Sequence, residues 1–340
     1  MDVLAKPTLS SEQVKEKALE LGADLVGIID CRTLSENPPD PTAPQVPERI
    51  APRSKSAICL AKRMPLGEFL SDHQYAVAYT NAAICRYLER LAYRLSYWLE
   101  DNGHPSVPVV MDETDPELKR GSYGYLSLRH VAVEAGLGTF GLEANLLTPE
   151  YGPRVYFTVV LTEAELEPDQ RITEQLCIGE TCGRCLLSCP TDAILHWTLD
   201  KRLCSIAAQV NGISTILRGP IKRLLQQPGN ASVVLSDPVT KSKFYAIVRV
   251  AEAFGVCPRC IEVCPVGGDY QKHLAKEHRR IPETTPEKQE RLQRMLAASK
   301  LGRMVPDNPP TNLRFIGPVG YEKLRRGNDP DIARDESPRS

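Results

Sequence analysis

The stretch CIGETCGRCLLSCP (177–190) contains four cysteines within thirteen residues and ends in a Cys-Pro pair. A second stretch, CPRCIEVCP (257–265), repeats the last part of this pattern, and Cys204 stands alone between the two. Eight of the 11 cysteines therefore fall in one quarter of the chain. This concentration predicts a cysteine-rich module that follows a separate N-terminal module.

The two stretches match the run C-x2-C-x2-C-x3-C-P of two-cluster ferredoxins, whose fourth cysteine ligates the other cluster. Here Gly179 takes the place of the first cysteine, and Cys177 lies two residues earlier. Crossed pairing predicts Cys177, Cys182, Cys185 and Cys264 at one [4Fe-4S] cluster, and Cys189, Cys204, Cys257 and Cys260 at the other. Two zinc sites, or one cluster with spare thiols, are alternative interpretations. Zinc sites give no reason for two x3-C-P endings.

Composition narrows the class of protein. The 340 residues carry a net charge of −1, and 42% are hydrophobic, as in soluble globular proteins. There is no basic stripe for a nucleic acid and no apolar run of about 18 residues for a membrane. The N-terminus shows no export signal, so we expect a cytoplasmic protein with reduced thiols. Metal or redox chemistry is then favoured over disulfides, and the scattered Cys31, Cys59 and Cys85 are expected to be small core residues.

Periodicity predicts a mixed α/β N-terminal module. Ser10 and Gln13 form a capping box for a first helix, and strands are predicted over 24–29, 56–61, 106–111 and 155–162. An apolar stripe predicts a long helix over 81–101. We expect an α/β domain over 1–170, a ferredoxin-like domain over 171–280 with an insertion at 205–256, and a C-terminal part over 281–340. In this last part, Thr285 and Pro286 begin a helix, and an extended or partly disordered tail follows.

The segment AGLGTFG (135–141) places Gly136, Gly138 and Gly141 in a G-x-G-x-x-G pattern. It follows a helical stretch rather than a strand, so it is a weak dinucleotide fingerprint. Either it is a tight glycine turn, or it brings the backbone close to a flat cofactor.

The ordered set ALELGADLVGI, SAICLA, RHVAVEAGLGTFG, LLTPEYGPR and two crossed cysteine motifs resembles the epoxyqueuosine reductase and reductive dehalogenase superfamily. These enzymes depend on cobalamin and two [4Fe-4S] clusters. The resemblance implies a nitroreductase-like domain that holds base-off cobalamin and a ferredoxin-like domain that supplies electrons. The cofactor contacts that it implies are Gly136, Leu137, Gly138, Gly141, Asn145, Leu147 and Thr148.

The resemblance also implies a proton donor. Dehalogenase relatives use a tyrosine near a basic residue, so the candidates are Tyr123 and Tyr125, assisted by Arg129, His130 or Arg154. Packing of the tyrosines and purely structural roles for the three basic residues are the alternatives.

Two departures bear on the substrate. The GRDYH-like segment of epoxyqueuosine reductases has no match before the long helix, and there is no room for a helical-repeat tail. We therefore expect a corrinoid-dependent reductase of a small organic molecule, with carbon–halogen cleavage as one candidate reaction. A ferredoxin or flavodoxin would supply electrons, and a tRNA or membrane partner is not expected. Epoxyqueuosine reduction and a ferredoxin-like electron carrier without corrinoid are the alternatives.

Overall fold

The computed structural model describes residues 9–41, 43–71, 74–109, 111, 114–118, 123–210, 212–249, 257–269, 271–277, 281–301 and 313–315. In this part of the chain the predicted mixed α/β fold is confirmed. The helices are α1 (Ser11–Glu20), α2 (Arg32–Glu36), α3 (Gln74–Asp101), α4 (Leu128–Glu134), α5 (Arg184–Ser188), α6 (Lys201–Ala208), α7 (Ile213–Ile216), α8 (Lys222–Gln226), α9 (Ala231–Ser236), α10 (Pro238–Arg249), α11 (Arg259–Glu262), α12 (Gln271–Glu277) and α13 (Pro286–Lys300). The strands are β1 (Leu25–Asp30), β2 (Ser56–Arg63), β3 (Ser106–Pro108), β4 (Thr139–Phe140), β5 (Leu146–Leu147), β6 (Val155–Thr162), β7 (Ile194–Leu195), β8 (Thr198–Asp200) and β9 (Leu313–Phe315).

The central sheet has four antiparallel strands in the order β1-β2-β6-β3. β2 pairs with β6 along its whole length, from Ser56 opposite Thr162 to Arg63 opposite Val155. Side chains alternate across a strand, so both faces of a central strand need cover. Ile58 and Leu60 pack under α1 and α3, and Cys59 packs on the opposite face with α4. The sheet is therefore the middle layer of the N-terminal module.

The capping box of α1 is confirmed: Gln13 donates its backbone N–H to Ser10 Oγ at 3.2 Å, and Ser10 donates in return to Gln13 Oε1 at 3.0 Å. The long helix α3 begins at Gln74, seven residues before the predicted start at residue 81. Buried Val77 lies four residues before Asn81, so it extends the apolar stripe by another turn.

The cysteine-rich module packs against the second face of the sheet. Its core residues Leu186 and Met295 belong to the same apolar cluster as Val159 of β6 and Val131 of α4. The predicted C-terminal helix is α13, where Thr285 Oγ1 accepts the N–H of Lys288. Within the tail, β9 pairs with β8. The sequence pattern did not predict β9.

The predicted insertion is helical where it is described, over α7 to α10, with a π-helix at Leu217–Ile221. Pro220 lies inside that π-helix and offers no N–H for a regular α-helical bond. Among the described residues no helix combines the length and the apolar character that crossing a bilayer requires.

Candidate redox site

The clustered cysteines lie on short helices and on the turns beside them, where the two cysteine motifs pack against each other. Cys185 lies on α5 and Cys189 directly follows it, while Cys260 lies on α11. Helices α5 and α11 pack against each other, so the two C-x2-C-x3-C-P motifs are neighbours in space. Cys204 reaches the same region from α6.

The first group of cysteines lines a cavity of about 400 Å³. It consists of Cys177, Cys182, Cys185 and Cys264. Leu142 and Gly179 each donate a backbone N–H to Cys177 Sγ at 3.4 Å. Backbone N–H groups aimed at thiolates are a common means of stabilising an anionic iron–sulfur cluster.

The second group is defined by the thiols that influence one another electrostatically. Cys189 and Cys204 both raise the pKa of Cys257 and of Cys260 by charge repulsion, and Cys189 raises the pKa of Cys204 in the same way. Ala193 donates its N–H to Cys189 Sγ at 3.3 Å, and Asn145 Nδ2 lies 3.9 Å from Cys260 Sγ. Cys260 also influences Cys185 of the first group, so the two groups are neighbours, and their division into two cluster sites stays a prediction.

Burial dominates the acid–base properties of these thiols. It raises the pKa of Cys177 and of Cys257 to about 11, and the pKa of Cys185, Cys260 and Cys264 rises well above the usual range. Thiols must lose their protons to bind metal, so these sites need a strongly cationic centre to become thiolates. Among the described residues no three Cys, His, Asp or Glu side chains are spaced for a single metal ion.

The two sets of residues fit two [4Fe-4S] clusters by donor type, number, enclosure and N–H donors. Ligation of each cluster by its set remains a prediction.

Gly179 explains why the first motif lacks its usual first cysteine. Its φ of +65° lies in the left-handed region, which side chains with a Cβ rarely adopt. A Cβ at this position would also lie 3.2 Å from Cζ2 of Trp197. The position therefore suits glycine, and Cys177 lines the cavity from two residues earlier.

A lysine and an arginine from α13 hold the first motif. Lys288 Nζ donates to the carbonyl oxygen of Cys189 at 2.5 Å, and Arg291 Nη2 donates to that of Ile194 at 2.5 Å. Both side chains are buried. The C-terminal helix is thus a structural support of the turn that carries Cys189.

A second cavity, which we call the sheet cavity, lies between the sheet, α3 and the cysteine-rich module. It has a volume of about 220 Å³ and is lined by Met64, Cys85, Met111, Leu128, Arg129, Asn145, Leu146, Pro153, Val155, Tyr156, Phe157 and Ile261. The lining is apolar apart from Arg129, Asn145, Tyr156 and the thiol of Cys85. Mostly apolar side chains with a few polar groups among them are typical of small-molecule sites, and the volume is smaller than that of a whole corrinoid.

Asn145 connects the sheet cavity to the second group of cysteines. Its side chain lines the cavity, and its amide nitrogen faces Cys260 Sγ. The preceding Ala144 has a φ of +64°, a strained conformation for a residue with a Cβ. Arg129 Nη1 donates to the Ala144 carbonyl at 2.6 Å and so helps to hold this conformation.

The predicted catalytic residues occupy different places. Arg129 lines the sheet cavity, whereas Tyr123 donates its hydroxyl to Asp40 at 3.0 Å and Tyr125 is exposed. His130 is buried, with Nδ1 at 2.7 Å from Ser127 Oγ. Roles for these side chains in catalysis remain predictions.

The residues that the resemblance implied as cofactor contacts also lie in different places. Asn145 lines the sheet cavity, while Leu137, Leu147 and Thr148 are buried. The glycines of the turn face protein atoms: Gly136 the Gln170 carbonyl, Gly138 the Leu147 carbonyl and Gly141 the Glu143 carboxyl group. Close packing within the protein accounts for the three glycines, and their contact with a corrin stays a prediction.

Arg154 lies at the junction of the two modules and is fully buried. Nε donates to Gln271 Oε1 and Nη1 to the Met64 carbonyl, both at 2.8 Å, while Nη2 pairs with Asp269. Gln271 Nε2 in turn donates to the Cys264 carbonyl at 2.8 Å. We call Arg154, Asp269 and Gln271 the Arg154 clamp, because they tie the sheet to the turn that carries Cys264.

The backbone around the clamp is equally close. Gly268 and Asp269 both donate their N–H groups to the Glu150 carbonyl, at 2.9 and 3.0 Å. A Cβ on Gly152 would overlap with the carbonyl of Val266. The segment LLTPEYGPR therefore serves, at its C-terminal end, as the contact surface for the loop after Cys264.

Sequence reasoning did not identify two acidic or phenolic side chains. Glu143 is buried beside Cys177 and Cys185, and burial raises its pKa to about 7. Tyr156 lines the sheet cavity beside Arg129. The sequence contained no signal for Tyr156, because β6 is buried at every position except this one and shows no alternation.

An α/β layer joined to eight clustered cysteines is consistent with the class of iron–sulfur oxidoreductases. Sequence comparison then identifies its relatives. The chain is 37% identical to the epoxyqueuosine reductase of Bacillus anthracis over 82 residues. This matched segment covers 24% of this chain and 21% of the Bacillus anthracis protein. Over 66 residues the chain is 44% identical to the tetrachloroethene reductive dehalogenase of Sulfurospirillum multivorans, 18% of this chain and 13% of that one.

The matched segments thus span 21% and 13% of the length of these two relatives. A solved epoxyqueuosine reductase, in complex with an epoxyqueuosine-modified tRNA stem loop, aligns over 82% of this chain and 68% of its own, with 20% identity and a TM-score of 0.49. No protein-family profile matches the chain. The resemblance to the epoxyqueuosine reductase and reductive dehalogenase superfamily is confirmed, and the families in it bind cobalamin and [4Fe-4S] clusters.

Proposed function

We propose that the chain is a cobalamin- and iron–sulfur-dependent reductase that reduces epoxyqueuosine in tRNA. The observation that carries the proposal is the pair of cysteine groups beside the sheet cavity. The segments identical to epoxyqueuosine reductases support the choice of substrate. The expectation of no tRNA partner is revised accordingly.

The cysteine groups and the cavity suggest an order of electron transfer. The first group lines the larger cavity, which also contains exposed Ile178. The second group contacts the sheet cavity through Asn145. Electrons would enter from a ferredoxin or flavodoxin at the first group and leave from the second group toward the sheet cavity.

Bound cobalamin would supply the low-potential two-electron chemistry at the substrate. Cys85, Tyr156 and Phe157 would contribute the wall against it, and Arg129 and Asn145 the polar contacts. Reducing an epoxide also consumes protons, and Tyr156 is the phenol that faces the cavity. Arg129 lines the same cavity and would supply the positive charge for an anion formed there.

Reductive dehalogenation of a small molecule is the second candidate. The match to tetrachloroethene reductive dehalogenase favours it, since its 44% identity exceeds that of the epoxyqueuosine reductase of Bacillus anthracis. The same tyrosine and arginine would serve this reaction.

The test uses protein reconstituted anaerobically with iron, sulfide and cobalamin. We expect about eight irons and one cobalamin per chain, and conversion of epoxyqueuosine in a tRNA stem loop with a chemical reductant. A Tyr156→Phe variant should keep all cofactors and lose turnover, whereas Tyr245→Phe, at an exposed tyrosine with no assigned role, serves as the matched control. Loss of chloride from chlorinated ethenes, without epoxyqueuosine conversion, would favour the second candidate. If the protein binds no cobalamin, both reductase candidates fail, and the alternative of a ferredoxin-like electron carrier without corrinoid is favoured.

A further inference from the structure

The outward face of α3 has an unusual composition. Tyr79, Tyr93 and Tyr97 are exposed by 69%, 54% and 53%, although tyrosine rings gain by burial. Exposed Arg86, Arg90 and Arg94 follow one another at intervals of four residues. Like charges at this spacing repel each other in a helix, so helix stability does not account for the arrangement.

These six residues share one side of the helix. At 3.6 residues per turn they fall within about 100° of arc, and from Tyr79 to Tyr97 they extend about 27 Å along the axis. The rings of Tyr93 and Tyr97 lie 4.8 Å apart between centroids. Glu89 and Glu100 are also exposed, at one edge of this stripe, and exposed Asp101 lies within the same arc one turn after Tyr97. We call the six residues the Tyr–Arg face.

We propose that the Tyr–Arg face binds the loop of a structured RNA. Arginine side chains pair with backbone phosphates, and tyrosine rings stack on unpaired bases. A row of cations with aromatic rings between them suits an RNA loop. An apolar protein partner would suit it less well, because such a partner has no use for a row of like charges. The inference rests on the proposed function, because it names the surface that would hold the tRNA substrate.

The position of the face on α3 agrees with that role. The opposite side of the same helix contributes Cys85 to the sheet cavity. An RNA loop on the Tyr–Arg face would therefore lie about one helix diameter, roughly 10 Å, from the cavity. The face also offers this chain an RNA surface without the helical-repeat tail of some relatives.

The experiment measures the binding of a fluorescent anticodon stem-loop RNA to cofactor-loaded protein by anisotropy over a range of salt concentrations. The double variant Tyr93→Ala/Tyr97→Ala should weaken binding at least about 10-fold, whereas Tyr93→Phe/Tyr97→Phe should keep it. The triple variant Arg86→Gln/Arg90→Gln/Arg94→Gln should reduce the salt slope by about 2. A control, Arg32→Gln/Arg53→Gln/Lys55→Gln, removes three exposed charges elsewhere and should leave that slope within experimental error.

The outcomes separate the two proposals. If the wild-type protein converts epoxyqueuosine RNA and the face variants bind RNA as tightly as wild type, the face is not the RNA surface, while the proposed function stands. Equal weakening by the control triple variant would also overturn the inference. If these face substitutions instead abolish self-association and leave RNA affinity unchanged, a second copy is the occupant and the inference is wrong. If the wild type neither binds nor converts RNA, the proposed function and the inference both fail.

Discussion

Replacing Arg154 with methionine tests the clamp between the sheet and the turn that carries Cys264. Removing one member of a buried ion pair costs about 3–5 kcal/mol, because the other charge stays buried. Asp269 is 24% exposed and regains some water, which favours the lower end of this range. Gln271 Oε1 and the Met64 carbonyl each lose a donor, at about 1 kcal/mol apiece. We expect a loss of about 4–5 kcal/mol.

The assay is anaerobic thermal unfolding of the cofactor-loaded protein together with its iron content. For a chain of this size the loss corresponds to a fall of about 8–10 °C in Tm. Gln271 would no longer be held at the Cys264 carbonyl, so iron should fall toward half as the first cluster is lost. Arg154→Lys keeps the charge for Asp269 but lacks the planar fork, and should lie between wild type and Arg154→Met.

The matched control is Arg53→Met, which breaks an exposed ion pair with Glu163. Such pairs contribute about 0–1 kcal/mol, so its Tm should change little. A double-mutant cycle with Gln271→Leu should show coupling with Arg154→Met, since the two side chains bond directly. If Arg154→Met loses no more stability than Arg53→Met and keeps all its iron, the reasoning about the clamp is wrong.

Three further predictions concern single positions. Burial raises the pKa of Glu68 to about 7, so the folded state keeps a proton that the unfolded state loses above about pH 4.5. The stability that this group contributes therefore falls as pH rises from 4.5 to 7. Glu68→Gln should be more stable than wild type at pH 8, by at most about 3 kcal/mol, and its Tm should change less with pH between 4.5 and 7. Cys177→Ala should lose one cluster, and adding Gly179→Cys should not restore the iron, because a side chain there meets both the positive φ and Trp197; full recovery of eight irons would contradict this. Ala144→Gly should relieve the left-handed strain and raise stability by about 1 kcal/mol in thermal unfolding, whereas an unchanged or lower Tm would show that the strain is compensated locally.

Local patterns in the sequence predicted the local structure well. The Ser10–Gln13 capping box and strand β6 over 155–162 lie where the pattern placed them, because caps and strand alternation depend on neighbouring residues alone. The x2 and x3 spacings also predict that the two cysteine motifs are neighbours, and α5 and α11, which carry Cys185 and Cys260, do pack against each other. The early start of α3 was missed because the buried Asn81 interrupts the apolar stripe with a polar residue, which hides the buried Val77 before it.

The residues around the site depended on packing that no pattern of spacing contains. Tyr156 reaches the sheet cavity only because β6 is central in the sheet, and Asn145 reaches Cys260 across 115 residues. The resemblance implied Arg154 as a basic residue that assists the tyrosine, and its place after Gly-Pro gave a structural turn arginine as the alternative. Its donors are used by Met64, Asp269 and Gln271, so the structure shows a tie between modules, and a catalytic role stays a prediction.

The clamp and Asn145 together make the two modules mechanically and electrically interdependent. Arg154 binds the loop after Cys264 of the first cysteine group, and Asn145 contacts Cys260 of the second, while both contacts begin on the α/β module. A cluster that moved relative to the sheet cavity would change its electron-transfer distance to any group bound there. Because the α/β module contacts a turn or a thiol in each group, any clusters bound there would be held at fixed distances from the sheet cavity by these contacts. The strained Ala144 before Asn145 and the buried Arg154 at the other end fix both ends of the connecting segment.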